Sequence, residues 1–251
     1  MSTEEEHEGV VDNTQLVLIS GESGTGKSAS LMNLRDPERW LYANCEAGKR
    51  LPFRSKFEQQ IITDPYQVTE FADLCVAQPD AVNGMIVDTI TFLMEMYESV
   101  YIAGSSNGQK AWANYQQFWK ELMQQKVARM KVPMLMLGHT KRELDEDAGV
   151  YNVAVPVKGA LRSNGLEAYF STVVSTKKMR LKDLKEYEND LLHITEDDEL
   201  VGFKHVFQTR ITKNTVGERI RSPLGMFTAK QTFIDNDAQQ LLDHMNHYYN
   251  G

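Results

Sequence analysis

Short apolar runs alternate with longer amphipathic stretches along most of this chain. Gln15–Ser20 (QLVLIS) is an apolar run that stops at glycines, as a buried strand does. ASLMNL, from Ala29, has helical spacing and halts near Asp36-Pro37, because the residue before a proline is pushed out of helical geometry. Trp40–Cys45 (WLYANC) predicts a second strand and Gln60–Thr63 a third, followed by a helix over Gln67–Val76. Gly84–Asp88 (GMIVD) is a strand that ends in an acid. Ile90–Ala103 and Ala111–Met130 predict helices separated by the loop GSSNGQ, and Val132–Gly138 (VPMLMLG) the next strand. Near-continuous apolar strands interleaved with helices predict a parallel sheet covered on both faces.

The pattern changes after His139. Lys141–Gly165 is polar and glycine-containing, and predicts a long loop with one short helix; loops of that length in a compact domain usually serve function. Ser171–Thr176 and Phe203–Thr212 alternate as strands do, and Lys182–Glu199 between them is a charged hairpin or excursion. Asp237–Tyr249 predicts a terminal helix, and residues 1–13 an acidic flexible tail. The expectation is an α/β fold: one domain over 14–251, mostly parallel at the centre, with antiparallel strands toward the C-terminus.

Charge changes this picture locally. The 251 residues carry a net charge of −8, which argues against a chain that is basic all over. Residues 151–251 are balanced, however, and basic segments run over Lys158–Lys182 and Lys204–Lys230. An acidic protein with such segments can bind a polyanion through them. No run of about 18 apolar residues is present, so no membrane-spanning helix is expected. The start, MSTEEEHEG, does not read as a secretory signal. Cys45 and Cys75 read as reduced thiols, with spacing that suits neither a disulfide scaffold nor a metal site.

The chemistry begins at Gly21-Glu22-Ser23-Gly24-Thr25-Gly26-Lys27-Ser28, a full match to G-x-x-x-x-G-K-[ST] between a strand and a helix. This segment, with Ala29, is expected to ring phosphates with backbone N–H groups. Lys27 would reach the outer phosphates, and the Ser28 hydroxyl would bind Mg²⁺. The cofactors implied are ATP and Mg²⁺. Asp88, at the end of GMIVD, is the second acid such a site needs near the metal, although it also sits where a helix N-cap would. Glu46, after WLYANC, could act as a general base, and His139, closing VPMLMLG, faces the same sheet edge.

In this order the motifs resemble those of the RecA-like P-loop ATPases. The resemblance implies Glu46 as catalytic base and His139 as a γ-phosphate sensor, a position where RecA itself usually carries glutamine. Thr209–Phe227 resembles RecA's late strand and turn, which implies that Lys213 reaches the ATP of an adjacent subunit; only the first lysine of RecA's K-N-K triplet is kept in Lys213-Asn214-Thr215. The segment after His139 falls where RecA has a DNA-binding loop. A bare core of this size is similar to small phage single-strand annealing proteins, the fourth Sak-type group. That similarity implies an ATPase that binds single-stranded DNA and promotes annealing or recombination, in the cytoplasm of a bacterial host. It further implies a homo-oligomer, ring or filament, a single-strand-binding protein as a further partner, and no membrane. Lys158, Arg162, Lys177, Lys178 and Arg180 are the expected DNA contacts, with Tyr151, Tyr169 and Phe170 as stacking faces and Arg219 and Arg221 as the alternative site. A helicase or motor, a small-molecule kinase and a nucleotide switch are the competing classes. A kinase would need an arginine-rich lid, and the segment after His139 offers only Arg142 and Arg162 beside the acids at 145–147.

Overall fold

A computed structural model of the chain describes residues 13, 15–147, 149–159 and 165–251. Among the described residues, ten strands form two sheets. The large one contains β1 (Leu16–Gly21), β2 (Trp40–Asn44), β3 (Glu58–Ile61), β4 (Gly84–Asp88), β5 (Met134–His139), β8 (Thr172–Arg180), β9 (Phe203–Gln208) and β10 (Phe233–Asp235). Its spatial order is β10-β9-β8-β1-β5-β4-β2-β3. Neighbours from β3 to β8 run parallel, while β8–β9 and β9–β10 are antiparallel.

Strand alternation divides the core in two. Leu18, Met85, Val87, Met134, Met136 and Val173 face one side. They pack against α1 (Tyr66–Ala77), α2 (Ile90–Tyr97) and α3 (Gly108–Lys120) through Val68, Leu93, Tyr97, Tyr115, Phe118 and Trp119. Val17, Ile19, Ile86, Leu135, Leu137 and Val174 face the other side, against Leu241 and Met245 of α6 (Ala238–Asn250) and against Leu31, Leu34 and Met226. Sequence reading and structure agree on the central strands because these are buried on both faces and read as continuous apolar runs.

Two expectations need correction, one open choice is resolved and one strand is added. The segment after the phosphate loop is only a 3₁₀ turn, Ser28–Leu31, not a longer helix. The expected long loop after His139 is instead a two-stranded antiparallel ribbon, β6 (Lys141–Asp145) and β7 (Val150–Ala154), followed by a 3₁₀ turn at Leu166–Tyr169. KRELD in β6 is exposed along most of its length, so no buried face left an alternating pattern to read. Of the two readings of the charged segment 182–199, the structure has the excursion, built of short helices: α4 (Leu181–Leu184), a 3₁₀ turn at Lys185–Tyr187 and the start of α5 (Glu196–Val201). Thr195 caps α5 in a capping box with Asp198. Finally, β10 is a strand the sequence reading did not find, three residues long at the sheet edge. No helix among the described residues is long and apolar enough to cross a membrane.

Candidate functional site

The carboxyl ends of the parallel strands converge, and ligands of open α/β sheets bind at such an edge. Register brings the chemistry together: Gly21 pairs with His139, and Asp88 pairs with both Asn44 and Leu137. The Gly21–Ser28 loop follows β1, Asp88 closes β4, His139 closes β5 and Glu46 follows β2 by two residues. Together they line a cleft of about 340 Å³ with Ser23, Gly24, Gly26, Lys27, Ser28 and Ala29.

Gly24 and Gly26 have φ of 77° and 107°, backbone that a side chain would strain, and a Cβ on Gly26 would also meet the Asn236 amide at 2.7 Å. Asn236 Nδ2 donates to Gly26 O at 2.9 Å, and the His205 ring lies 2.8 Å by Nδ1 from Thr25 O. Both clamp the loop from the C-terminal half of the chain. Lys27 is buried and donates to Gly21 O at 2.9 Å and Glu22 O at 2.8 Å. Burial lowers its pKa to about 8, against the opposing pull of Asp88 and Glu46.

Asp88 is 2% exposed. Its Oδ2 accepts from Ser28 Oγ at 2.8 Å and from Tyr42 OH at 2.8 Å, while its Oδ1 is buried without a partner. Burial raises its pKa, and the two hydroxyl donors only partly offset that. The fit to a magnesium–nucleotide is good. A hydroxyl and a carboxylate with an unused buried oxygen are hard oxygen donors, and Mg²⁺ held by so few side chains takes its other ligands from phosphate and water. Tyr42, missed in the sequence, is held as a neutral donor, since burial and then the Asp88 charge push its pKa far up.

Glu46 sits in a left-handed turn through Ala47 and Gly48, and buried Asn44 ties that turn down: Glu46 N donates to Asn44 Oδ1 at 3.0 Å, and Asn44 Nδ2 donates to Lys49 O at 2.9 Å. Lys49 Nζ donates to Glu46 Oε2 at 2.6 Å, and His139 Nε2 lies 3.2 Å from Oε1. Burial raises the Glu46 pKa, but the hydrogen bonds from Lys49 and His139 outweigh it and hold the carboxyl below its ordinary range. His139 N in turn donates to Thr91 Oγ1 at 2.9 Å. Lys49, five residues past the end of β2, gives no motif to read.

The other expected residues are not gathered at this cleft. Lys213 lines a separate cavity with Lys177 and Lys178. Lys177 pairs with Glu218, the Lys178 ammonium lies 5.1 Å from the centre of the Phe203 ring, and Arg180 Nε donates to Asp183 at 2.8 Å. Alternation on β8 sends Lys177 and Lys178 to opposite faces, so these residues do not form one continuous basic track. Lys158 is paired with Glu98, away from that cavity. Arg162 lies outside the described residues. Phe170 is buried in the core, which removes it as a stacking face; Tyr169 is half-buried against the core, and Tyr151 is 47% exposed.

No protein-family model matches the chain, and a search of curated proteins finds no match.

Proposed function

We propose that the chain is a RecA-like ATPase that hydrolyses ATP with Mg²⁺, binds single-stranded DNA and promotes annealing or recombination. The observation that carries the reading is the convergence of Lys27, Ser28, Asp88, Glu46 and His139 on one cleft at the carboxyl edge of the sheet. Lys27 and the loop N–H groups hold the phosphates, and Ser28 and Asp88 hold the metal, which supplies charge neutralisation there. Glu46, ionised at neutral pH, orients the attacking water and takes its proton as the new P–O bond forms and the bond to the leaving diphosphate breaks. His139 positions the Glu46 carboxylate by the hydrogen bond to Oε1. Assembly into a ring or filament belongs to the same reading.

The test is ATP turnover with and without an unstructured single strand. Strong stimulation supports an ATPase coupled to DNA. Turnover that ignores DNA favours a nucleotide switch, and phosphate transfer to a small acceptor favours a kinase.

A further inference from the structure

A cavity of about 510 Å³ shares the phosphate loop with the nucleotide cleft. Gly21, Glu22 and Thr25 line this cavity, whereas Lys27 and its neighbours line the cleft. Its other walls are the β6–β7 ribbon, the end of β8 and the 213–218 loop. The size falls within the usual range for ligand sites, about 300–1,000 Å³.

Arg142, Lys177, Lys178 and Lys213 line it, against the acids Glu22 and Glu218. Lys177 and Glu218 neutralise one another as an ion pair, and the Lys178 ammonium lies against the Phe203 ring on the opposite face of β8, so Arg142 and Lys213 face one remaining acid, Glu22. In a chain of net charge −8, that local excess selects anions. Lys213 is exposed and, among the described residues, makes no side-chain hydrogen bond or ion pair. Arg142 stands 3.7 Å from the centre of the Tyr151 ring, and the ring's remaining exposure leaves surface for a base to stack on.

A second observation comes from Glu218. Its side chain is 9% exposed, and Oε2 is buried with no hydrogen-bond partner. A buried carboxylate oxygen without a donor is costly. A ligand that carries both a phosphate and an N–H edge meets both needs. Its phosphate meets Arg142 and Lys213, and its amino group donates to the unpartnered Glu218 oxygen, as carboxylates accept from the N4 amine of cytosine.

We propose that this cavity holds one phosphodiester and the attached base of a single-stranded DNA. Arg142 and Lys213 contact the phosphate, Tyr151 stacks on the base, and Glu218 accepts from its amino edge. The inference rests on single-stranded DNA being the partner. It assigns Lys213 to DNA in its own chain and leaves Lys158 and Arg180 outside the contact.

The experiment is an anisotropy titration of labelled oligo-dC and oligo-dT of about 20 nucleotides, longer than one site, against salt. ATP binding is measured on the same samples, with Lys27→Ala as the nucleotide-dead control. Wild type is expected to prefer oligo-dC, since thymine has no exocyclic amine. Arg142→Ala/Lys213→Ala is expected to weaken both oligonucleotides and to flatten log K against log salt by roughly 1.4, about 0.7 per lost contact. Glu218→Gln is expected to erase the preference for dC, and Tyr151→Ala to weaken both oligonucleotides should Glu218→Gln fail to fold. Arg142→Ala alone leaves ATP binding unchanged. A double variant with wild-type affinity and slope overturns the inference while DNA stays the partner. Displacement of the oligonucleotide from Lys27→Ala protein by inorganic phosphate, at constant ionic strength, also overturns it, because the cavity then takes a free anion. Wild type that binds ATP but neither oligonucleotide overturns the DNA reading as well.

Discussion

His139 Nε2 lies 3.2 Å from Glu46 Oε1, so the end of β5 touches the turn after β2 across the tip of the strand between them, β4. Asp88 ends that middle strand. Residues 93 positions apart in sequence are thereby held around one acid. Two residues beyond His139 the β6–β7 ribbon begins, and Thr140 N donates to Gly21 O at 3.1 Å. The same short segment therefore contacts the proposed base, the phosphate loop and the proposed DNA cavity.

Glu46→Gln should bind ATP as wild type does and lose turnover by about 10²–10⁴-fold, because the amide cannot take the proton. Single-turnover hydrolysis measures it, and a wild-type rate would remove Glu46 from the chemistry. Since the Glu46 pKa is depressed, the carboxylate stays ionised down through the ordinary glutamate range. Its contribution to stability is present above that range and fades as pH falls through the lowered folded-state value.

Lys27 gives a prediction at alkaline pH. Its free-state pKa of about 8 reflects burial, and phosphate charge would favour the protonated form. ATP binding therefore takes up a proton above pH 8, and affinity should fall with rising pH there. The unliganded fold behaves oppositely. With a folded-state value below the ordinary 10.5, this group adds stability as pH rises from about 8 toward 10.5. Lys27→Ala should lose tight ATP binding and flatten both trends, as read by calorimetry and thermal melts across pH.

That the residues of the cleft share one sheet edge is legible in the sequence because they sit at the ends of doubly buried strands, where a continuous apolar run marks the element and the next polar residue marks its tip. Asp88 and His139 are such cases. Tyr42 was not legible, since in an apolar strand it reads as core until Asp88 is seen to accept its hydroxyl. Asn236 and His205 reach the phosphate loop from about 180–210 residues away in sequence, a pairing set by the order of strands and not by any local pattern. The ribbon β6–β7 carries no strand signal in the sequence because its side chains are mostly solvated and have no period.

Asp88→Asn should stabilise the unliganded protein while damaging the proposed metal site. A buried carboxylate with one oxygen unpartnered and a raised pKa opposes folding at neutral pH, and a neutral amide relieves that by about 1–3 kcal/mol. Thermal melting without ligand should rise by several degrees. In wild type Mg²⁺ should strengthen ATP binding, and in the variant that gain should shrink. A variant that melts lower and keeps the full magnesium effect would contradict the assignment.

Gly217 offers a way to disturb the proposed DNA cavity without touching the proposed nucleotide cleft. Val153 N donates to Gly217 O at 2.9 Å, and Val153 forms a bridge to Glu218, so β7 lies directly on the 213–218 loop. A Cβ on Gly217 would stand 2.1 Å from Tyr151 O and 3.3 Å from Asn152 Cα, both backbone atoms that cannot swing aside. Gly217→Ala must therefore push the ribbon off the loop, carrying Tyr151 away from Lys213 and Glu218. Oligonucleotide affinity should drop, while ATP binding through Lys27 should hold. Gly108→Ala is the control, because nothing lies within 4 Å of its Cβ and it should leave both measurements unchanged. Should Gly217→Ala bind oligonucleotide as tightly as Gly108→Ala, the ribbon's seat on the loop has no part in holding DNA.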